Sequence, residues 1–137
     1  KEIGFKIVAT DISEDAVSIA QKNAQTAGVD LLIDFSVCDF ADTPVPEQAG
    51  VVVFNPEYGE RLGIHSKLEA TYKRMGDFMK QHCRGYRGYI FTGNPDLAKK
   101  IGLRASKRLE FYNGKLDCRL LEYELYEGSK REPKADV

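Results

Sequence analysis

The sequence predicts an α/β fold: a mostly parallel sheet flanked by helices, with a C-terminal antiparallel hairpin. Three observations carry this prediction. Short, β-rich apolar runs alternate with segments of helical periodicity. Several of the apolar runs end in polar residues, Asp11, Asp39 and Asn55, as strands do when they deliver side chains to a common sheet edge. Two β-rich runs near the end of the chain flank Asn113-Gly114, a strong short-range hairpin signal.

Residues 5–10 form the first apolar run and stop at Asp11. Ser13 is placed to cap a helix, and Glu14 and Asp15 favour the positive end of its dipole. Val17, Ala20, Ala24 and Ala27 recur at helical spacing until Gly28 ends the helix. Residues 32–37 predict the second strand, and residues 41–48, with Pro44 and Pro46, a loop. Val51-Val52-Val53-Phe54 reads as the most buried strand of the chain and runs into Asn55-Pro56. After a loop containing Gly59 and Gly63, Leu68, Tyr72, Met75 and Met79 mark the core face of a helix and carry no functional weight here. Residues 88–92 are a strand, and Asn94-Pro95 caps a short helix ending near Gly102. Residues 107–112 and 115–126 form the hairpin, with one strand reversed at the sheet edge, and 128–137 is a polar tail.

The chain of 137 residues is one domain at most. Lys plus Arg (20) nearly balance Asp plus Glu (21), which argues against a strongly basic nucleic-acid clamp. Lys99, Lys100, Arg104, Lys107 and Arg108, with Arg84 and Arg87, can still reach RNA phosphates, although a solvated charged face is the favoured explanation. Apolar runs are only strand-sized, so no membrane span is expected. Cys38, Cys83 and Cys118 are scattered and odd in number, which suits reduced thiols in the cytoplasm. His65 and His82 are too few for a His-rich metal site, and no metal is expected.

Ligands of open α/β sheets gather at the carboxyl ends of strands. An acidic residue there can accept two ribose hydroxyls, but Asp11 also has the simpler role of starting a helix, and Asp39 alone says less. Asn55-Pro56-Glu57-Tyr58 is more specific. An Asn side chain and a neighbouring carbonyl can both accept hydrogen bonds from an exocyclic amine and turn its lone pair towards an electrophile. Pro56 fixes the backbone, and Tyr58 offers a face on which an unpaired base can stack. A plain Asn-Pro turn is the competing explanation.

Residues 55–63, Asn-Pro-Glu-Tyr-Gly-Glu-Arg-Leu-Gly, resemble the Asn-Pro-Pro-Tyr-Gly-Glu-Arg-Leu signature of class I S-adenosylmethionine-dependent methyltransferases. They most resemble the bacterial enzymes with an RNA-binding THUMP domain that methylate guanine N2 in large-subunit ribosomal RNA. Members of that family are often labelled adenine-specific N6 DNA methylases. The resemblance continues through residues 91–97, 104–108, 111–114 and 120–125. It implies a Rossmann-like methyltransferase sheet with S-adenosyl-L-methionine as cofactor and ribosomal RNA as substrate. By the same resemblance, Asp11 binds the cofactor ribose, Ile12 packs on its adenine, and Asp39 accepts from the adenine amine. Phe40 lines that pocket, and Asn55 borders the cofactor while Asn55, Pro56, Glu57 and Tyr58 form the catalytic element.

Two departures stand out. Glu57 replaces the second Pro of the signature, and the glycine-rich loop after the family's first strand is absent from this chain. Residues 1–127 are therefore expected to be the C-terminal portion of a catalytic domain, inactive by itself. An upstream segment of the same polypeptide would supply the first strand and a THUMP domain, and direct pairing of residues 5–10 with 50–54 would contradict this. Two other readings compete. One is a catalytically silent RNA-binding or scaffolding domain. The other is an adenine-N6 methyltransferase on DNA or RNA, or an amide methylase on protein glutamine. A nicotinamide dehydrogenase is disfavoured, because no G-x-G-x-x-G is present.

Overall fold

Residues 3–57, 65–114 and 116–126 are described by a computed structural model. In chain order, β1 (Ile7–Asp11), α1 (Glu14–Ala27), a 3-10 turn (Asp30–Leu32) and β2 (Ile33–Val37) come first. A 3-10 turn (Phe40–Asp42), β3 (Val51–Phe54), α2 (His65–His82) and β4 (Arg87–Thr92) follow. Then come α3 (Pro95–Ala98), a 3-10 turn (Lys99–Ile101), β5 (Lys107–Asn113) and β6 (Leu116–Glu124). The chain forms two compact units that meet in sequence between Glu47 and Gln48.

In the first unit β1 and β2 are parallel, in register from Ile7 opposite Ile33 to Asp11 opposite Val37. Ser13 caps α1 as its sequence predicts, its Oγ accepting the Ala16 N–H at 3.1 Å. Gly28 closes the helix in the left-handed conformation. Only Val17 and Ala24 of the predicted apolar stripe are buried, whereas Ala20 and Ala27 are exposed. A two-stranded ribbon, with strands about 4.8 Å apart, is narrower than a helix about 10 Å across and covers only the middle of its face.

In the second unit the sheet order is β3-β4-β6-β5. β3 and β4 are parallel, and β6 runs antiparallel to both β4 and β5. The reversed strand is therefore β6, set between β4 and β5, and not the edge strand that the sequence suggested. The pattern of the two strands explains the exchange. β6 sends Leu121 and Tyr123 into the core, while β5 carries Lys107, Arg108 and Glu110, charges that suit an edge. The hairpin also shifts by one residue. Asn113 pairs with Leu116, and Gly114 supplies the turn with a positive φ of 66°.

One face of this sheet packs on α2. Leu68, Tyr72, Met75, Phe78 and Met79 are buried there, as are Ile90, Thr92, Leu97, Ile101, Leu121 and Tyr123. Each large apolar side chain contributes about 1.5–3 kcal/mol on burial. Among the described residues every buried apolar side chain except Val17 and Ala24 lies in the second unit, so that unit holds most of the stability. The other face is only partly covered: Cys118 and Glu122 are buried on it, but Val51 and Val53 are 61% and 64% exposed, and Leu109 and Phe111 are also exposed. β3 is thus not the most buried strand. Buried positions concentrate instead in β4, whose Gly88, Ile90 and Thr92 lie beneath α2, and in β6, with Cys118, Leu121, Glu122 and Tyr123. β3 is an edge strand, and α2 shields only one of its faces.

Among the described residues β1 pairs with β2 and β3 with β4, and no ladder joins β1 to β3. The loop after residue 57 and the polar tail lie outside the described residues.

Candidate functional site

The first unit brings Asp11 and Asp39 to the same end of a parallel strand pair. Asp11 closes β1 opposite Val37, and the Cys38 N–H donates to the Asp11 carbonyl at 3.0 Å. Asp39 follows one residue later. Both carboxylates do the local work that their positions allow. Asp11 Oδ1 accepts the Ser13 N–H at 2.8 Å, and Asp39 Oδ1 accepts the Ala41 N–H at 2.9 Å. A carboxylate has about four acceptor positions, so a cap bond by itself does not use up the Asp11 carboxylate. Ile12 is 73% exposed beside Asp11, and Phe40 is half-buried beside Asp39. A 2.7 Å hydrogen bond between the Thr10 and Thr43 hydroxyls ties the end of β1 to the loop that follows Asp39.

The second unit holds Asn55, Pro56 and Glu57, which leave the carboxyl end of β3. Phe54 anchors that end through an edge-on contact with Phe78 of α2, ring centres 6.2 Å apart. Asn55 is exposed and Pro56 half-buried. The side chain of Glu57 is exposed, but its backbone is held from below. The Tyr72 hydroxyl donates to the Glu57 carbonyl at 2.8 Å and also lies 2.8 Å from Thr92 Oγ1. Thr92 Oγ1 in turn accepts the Asn94 N–H at 3.2 Å. A hydroxyl has one proton, so the directions follow. Tyr72 gives its proton to Glu57, Thr92 gives its own to Tyr72, and Asn94 donates to Thr92. Burial pushes the Tyr72 hydroxyl above the usual phenol range, with the Thr92 hydrogen bond opposing, so it stays protonated as a donor. The Asn94 side chain meanwhile accepts the Leu97 N–H at 3.0 Å and caps α3.

Asp11, Ile12, Asp39 and Phe40 belong to the first unit, and Asn55, Pro56 and Glu57 to the second. Tyr58 lies outside the described residues. The sequence reading passed over Tyr72 and Thr92, because a tyrosine on an apolar helical face looks like core. The available signal was chemical: a buried tyrosine hydroxyl needs a partner. Of the basic residues, Lys100 pairs with Glu69 at 3.4 Å, while Lys99, Arg104, Lys107 and Arg108 are exposed. Among the described residues no group of His, Cys, Asp and Glu is arranged to hold a metal. No helix among them is long and apolar enough to cross a membrane.

Residues 1–122 match the family described as RMKL-like, methyltransferase domain. The chain belongs to this family. The RMKL-like domain is 41% identical over 125 residues to the ribosomal RNA large subunit methyltransferase K/L of Syntrophotalea carbinolica, covering 88% of this chain and 18% of that protein. Its fold matches a solved structure from Clostridium difficile 630, described as a possible methylase, with TM-score 0.83 and 32% identity. That match covers 95% of this chain and 34% of the other. It also matches SMU.472, a protein assigned as a methyltransferase and solved with SAH, with TM-score 0.80 and 28% identity over 90% of this chain and 32% of the other. The RMKL-like domain described here spans only 17–30% of the length of the first curated relatives it matches.

Proposed function

We propose that this chain is the substrate-facing part of an S-adenosyl-L-methionine-dependent RNA methyltransferase. Its target is an exocyclic base amine, guanine N2 in large-subunit ribosomal RNA, and it works in the cytoplasm. The observation that carries this reading is the Asn55-Pro56-Glu57 segment at the carboxyl end of a parallel strand, its backbone anchored to α2, in a member of the RMKL-like family. The K/L relative named for large-subunit ribosomal RNA and the SAH-bound neighbour support the substrate and the cofactor.

The residues present fit the cofactor. Two carboxylates stand at adjacent strand ends, suited by their chemistry to ribose hydroxyls (Asp11) and the adenine amine (Asp39), and Ile12 and Phe40 give apolar surface beside them. When bound, S-adenosyl-L-methionine supplies a sulfonium-activated methyl group. Asn55 and a neighbouring carbonyl hold the amine by accepting hydrogen bonds from its N–H groups, which fixes the direction of the nitrogen lone pair. Pro56 limits the backbone, and Tyr58 stacks on the base. No nucleophile or metal of the protein takes part, and positioning accounts for most of the rate. An upstream segment of the same polypeptide supplies the first strand, the glycine-rich loop and the THUMP domain, so this chain is inactive by itself.

The test uses the complete polypeptide, labelled S-adenosyl-L-methionine, and ribosomal RNA or DNA, followed by nucleoside analysis. Labelled N2-methylguanine from ribosomal RNA is expected; N6-methyladenine would replace the target and leave the mechanism. Asn55→Ala is expected to lower transfer by about 100-fold or more while cofactor affinity changes far less. Retained transfer removes Asn55 from its role. A second reading, a catalytically silent RNA-binding domain, is favoured by one observation: Glu57 stands where the family signature has Pro. Failure of the complete polypeptide to bind S-adenosyl-L-methionine would establish that reading instead.

A further inference from the structure

We infer that Tyr72 is a positioning residue for the Asn55-Pro56-Glu57 segment, acting through the Glu57 carbonyl and oriented by Thr92. The inference rests on the reading above, that this segment holds the substrate amine. Four polar groups form one directed line: Asn94 N–H to Thr92 Oγ, Thr92 O–H to Tyr72 Oη, Tyr72 O–H to the Glu57 carbonyl. Each hydroxyl accepts once and donates once. Reversing the Thr92–Tyr72 link would leave the Glu57 carbonyl facing a hydroxyl oxygen with no proton to give, so this order is the one that satisfies every group in the line. Successive hydrogen bonds polarise one another, and the line starts at the amide that begins the α3 cap.

The ends of the line are mechanically different. Tyr72 and Thr92 are 0% and 2% exposed and belong to the α2 and β4 core, whereas Asn55 and Glu57 are exposed. An exposed segment thus takes its position from a buried one. The bond falls on the backbone of residue 57, two residues after Asn55, and so restricts the peptide units that carry the amine-accepting groups. An Asn-Pro turn without such an anchor would close the strand equally well. It would not hold its carbonyls in one direction.

The complete polypeptide tests this with Tyr72→Phe, which keeps the ring and removes only the hydroxyl, and with Thr92→Val and Thr92→Ser. Tyr72→Phe is expected to lower kcat about tenfold, as loss of one orienting hydrogen bond does, with cofactor Kd and RNA KM within about twofold. Thr92→Val should lower kcat in the same direction, and Thr92→Ser, which keeps the hydroxyl, should restore most of it. An independent reading comes from the ¹³C resonance of the Glu57 carbonyl, which should move upfield in Tyr72→Phe as its hydrogen bond is lost. Unchanged kcat in Tyr72→Phe, an unmoved carbonyl resonance, or losses of cofactor affinity that match the loss of kcat would each overturn the proposal. If the wild-type polypeptide transfers no methyl group, the functional reading fails, and the carbonyl resonance alone decides whether Tyr72 holds the segment. If Tyr72→Phe fails to fold, the Thr92→Val and Thr92→Ser pair decides by the same readouts.

Discussion

The side chain of Glu57 faces water while its carbonyl accepts the Tyr72 hydroxyl. A proline at this position would keep the carbonyl and lose only an N–H and the carboxylate. The carbonyl that accepts this bond is present with either residue, which makes the departure at residue 57 smaller than the change of residue type suggests. Glu57→Pro in the complete polypeptide is expected to leave the methyl-transfer rate within about threefold of wild type, the range typical of exposed substitutions away from the core. A loss comparable to that of Asn55→Ala would mean that the carboxylate itself takes part. At this scale the sequence spoke clearly about identity and said little about support. Asn55 and Pro56 were legible because their chemistry is written in the residue types. Tyr72 and Thr92 were not, because they are separated from Glu57 by 15 and 35 positions in sequence and meet it only through folding.

The α2 helix is the element on which the second unit depends, and its contacts are close enough to exclude a single methyl group. A Cβ placed on Gly76 would stand 1.7 Å from the Ile101 carbonyl oxygen and 2.8 Å from its carbon. The obstacle is backbone at the end of the turn after α3, so a side-chain rotation cannot relieve it. Two effects then compete in Gly76→Ala. Helix propensity favours Ala by about 1 kcal/mol. Separation of α2 from that turn costs about 3 kcal/mol, at the upper end of the usual range for overpacking. The variant is expected to lose about 2 kcal/mol, read as a lower urea midpoint at unchanged m-value; an equal or higher midpoint would show that the two elements are not so closely packed. Element positions were largely legible in the sequence: Ser13 and Gly28 bound α1, Asn94 caps α3, and Leu68, Tyr72, Met75 and Met79 face the core. The order of strands was less so. Periodicity shows which residues face inwards, but whether β5 or β6 takes the edge depends on pairings between distant segments.

Taken together, the two units leave β1 and β3 each with one edge that no described strand pairs. Val51-Val52-Val53-Phe54 is apolar at every position, the pattern of a parallel strand covered on both faces, yet only the face towards α2 is covered. We propose that this pattern belongs to a sheet with a further strand beside β3. The K/L relative, of which this chain spans 18%, has polypeptide outside the matched part, and the proposed strand would come from a corresponding segment. The proposed upstream strand makes a specific demand on amide exchange. In a parallel strand, alternate N–H groups point to opposite sides, so a new partner protects only those pointing away from the existing one. In the complete polypeptide, alternate amides within Ile7–Asp11 and Val51–Phe54 should exchange about 100-fold or more slowly than in this chain alone, because they open only with a larger cooperative unit. The amides of β4, already flanked by β3 and β6, serve as the internal reference and should change far less. Equal exchange at the β1 and β3 edges in the two polypeptides would refute an upstream strand as their partner. Slowing at β4 in equal measure would point to a general gain in stability. Alternating protection confined to β1 and β3, with no direct pairing between the two, is the pattern that strand insertion predicts.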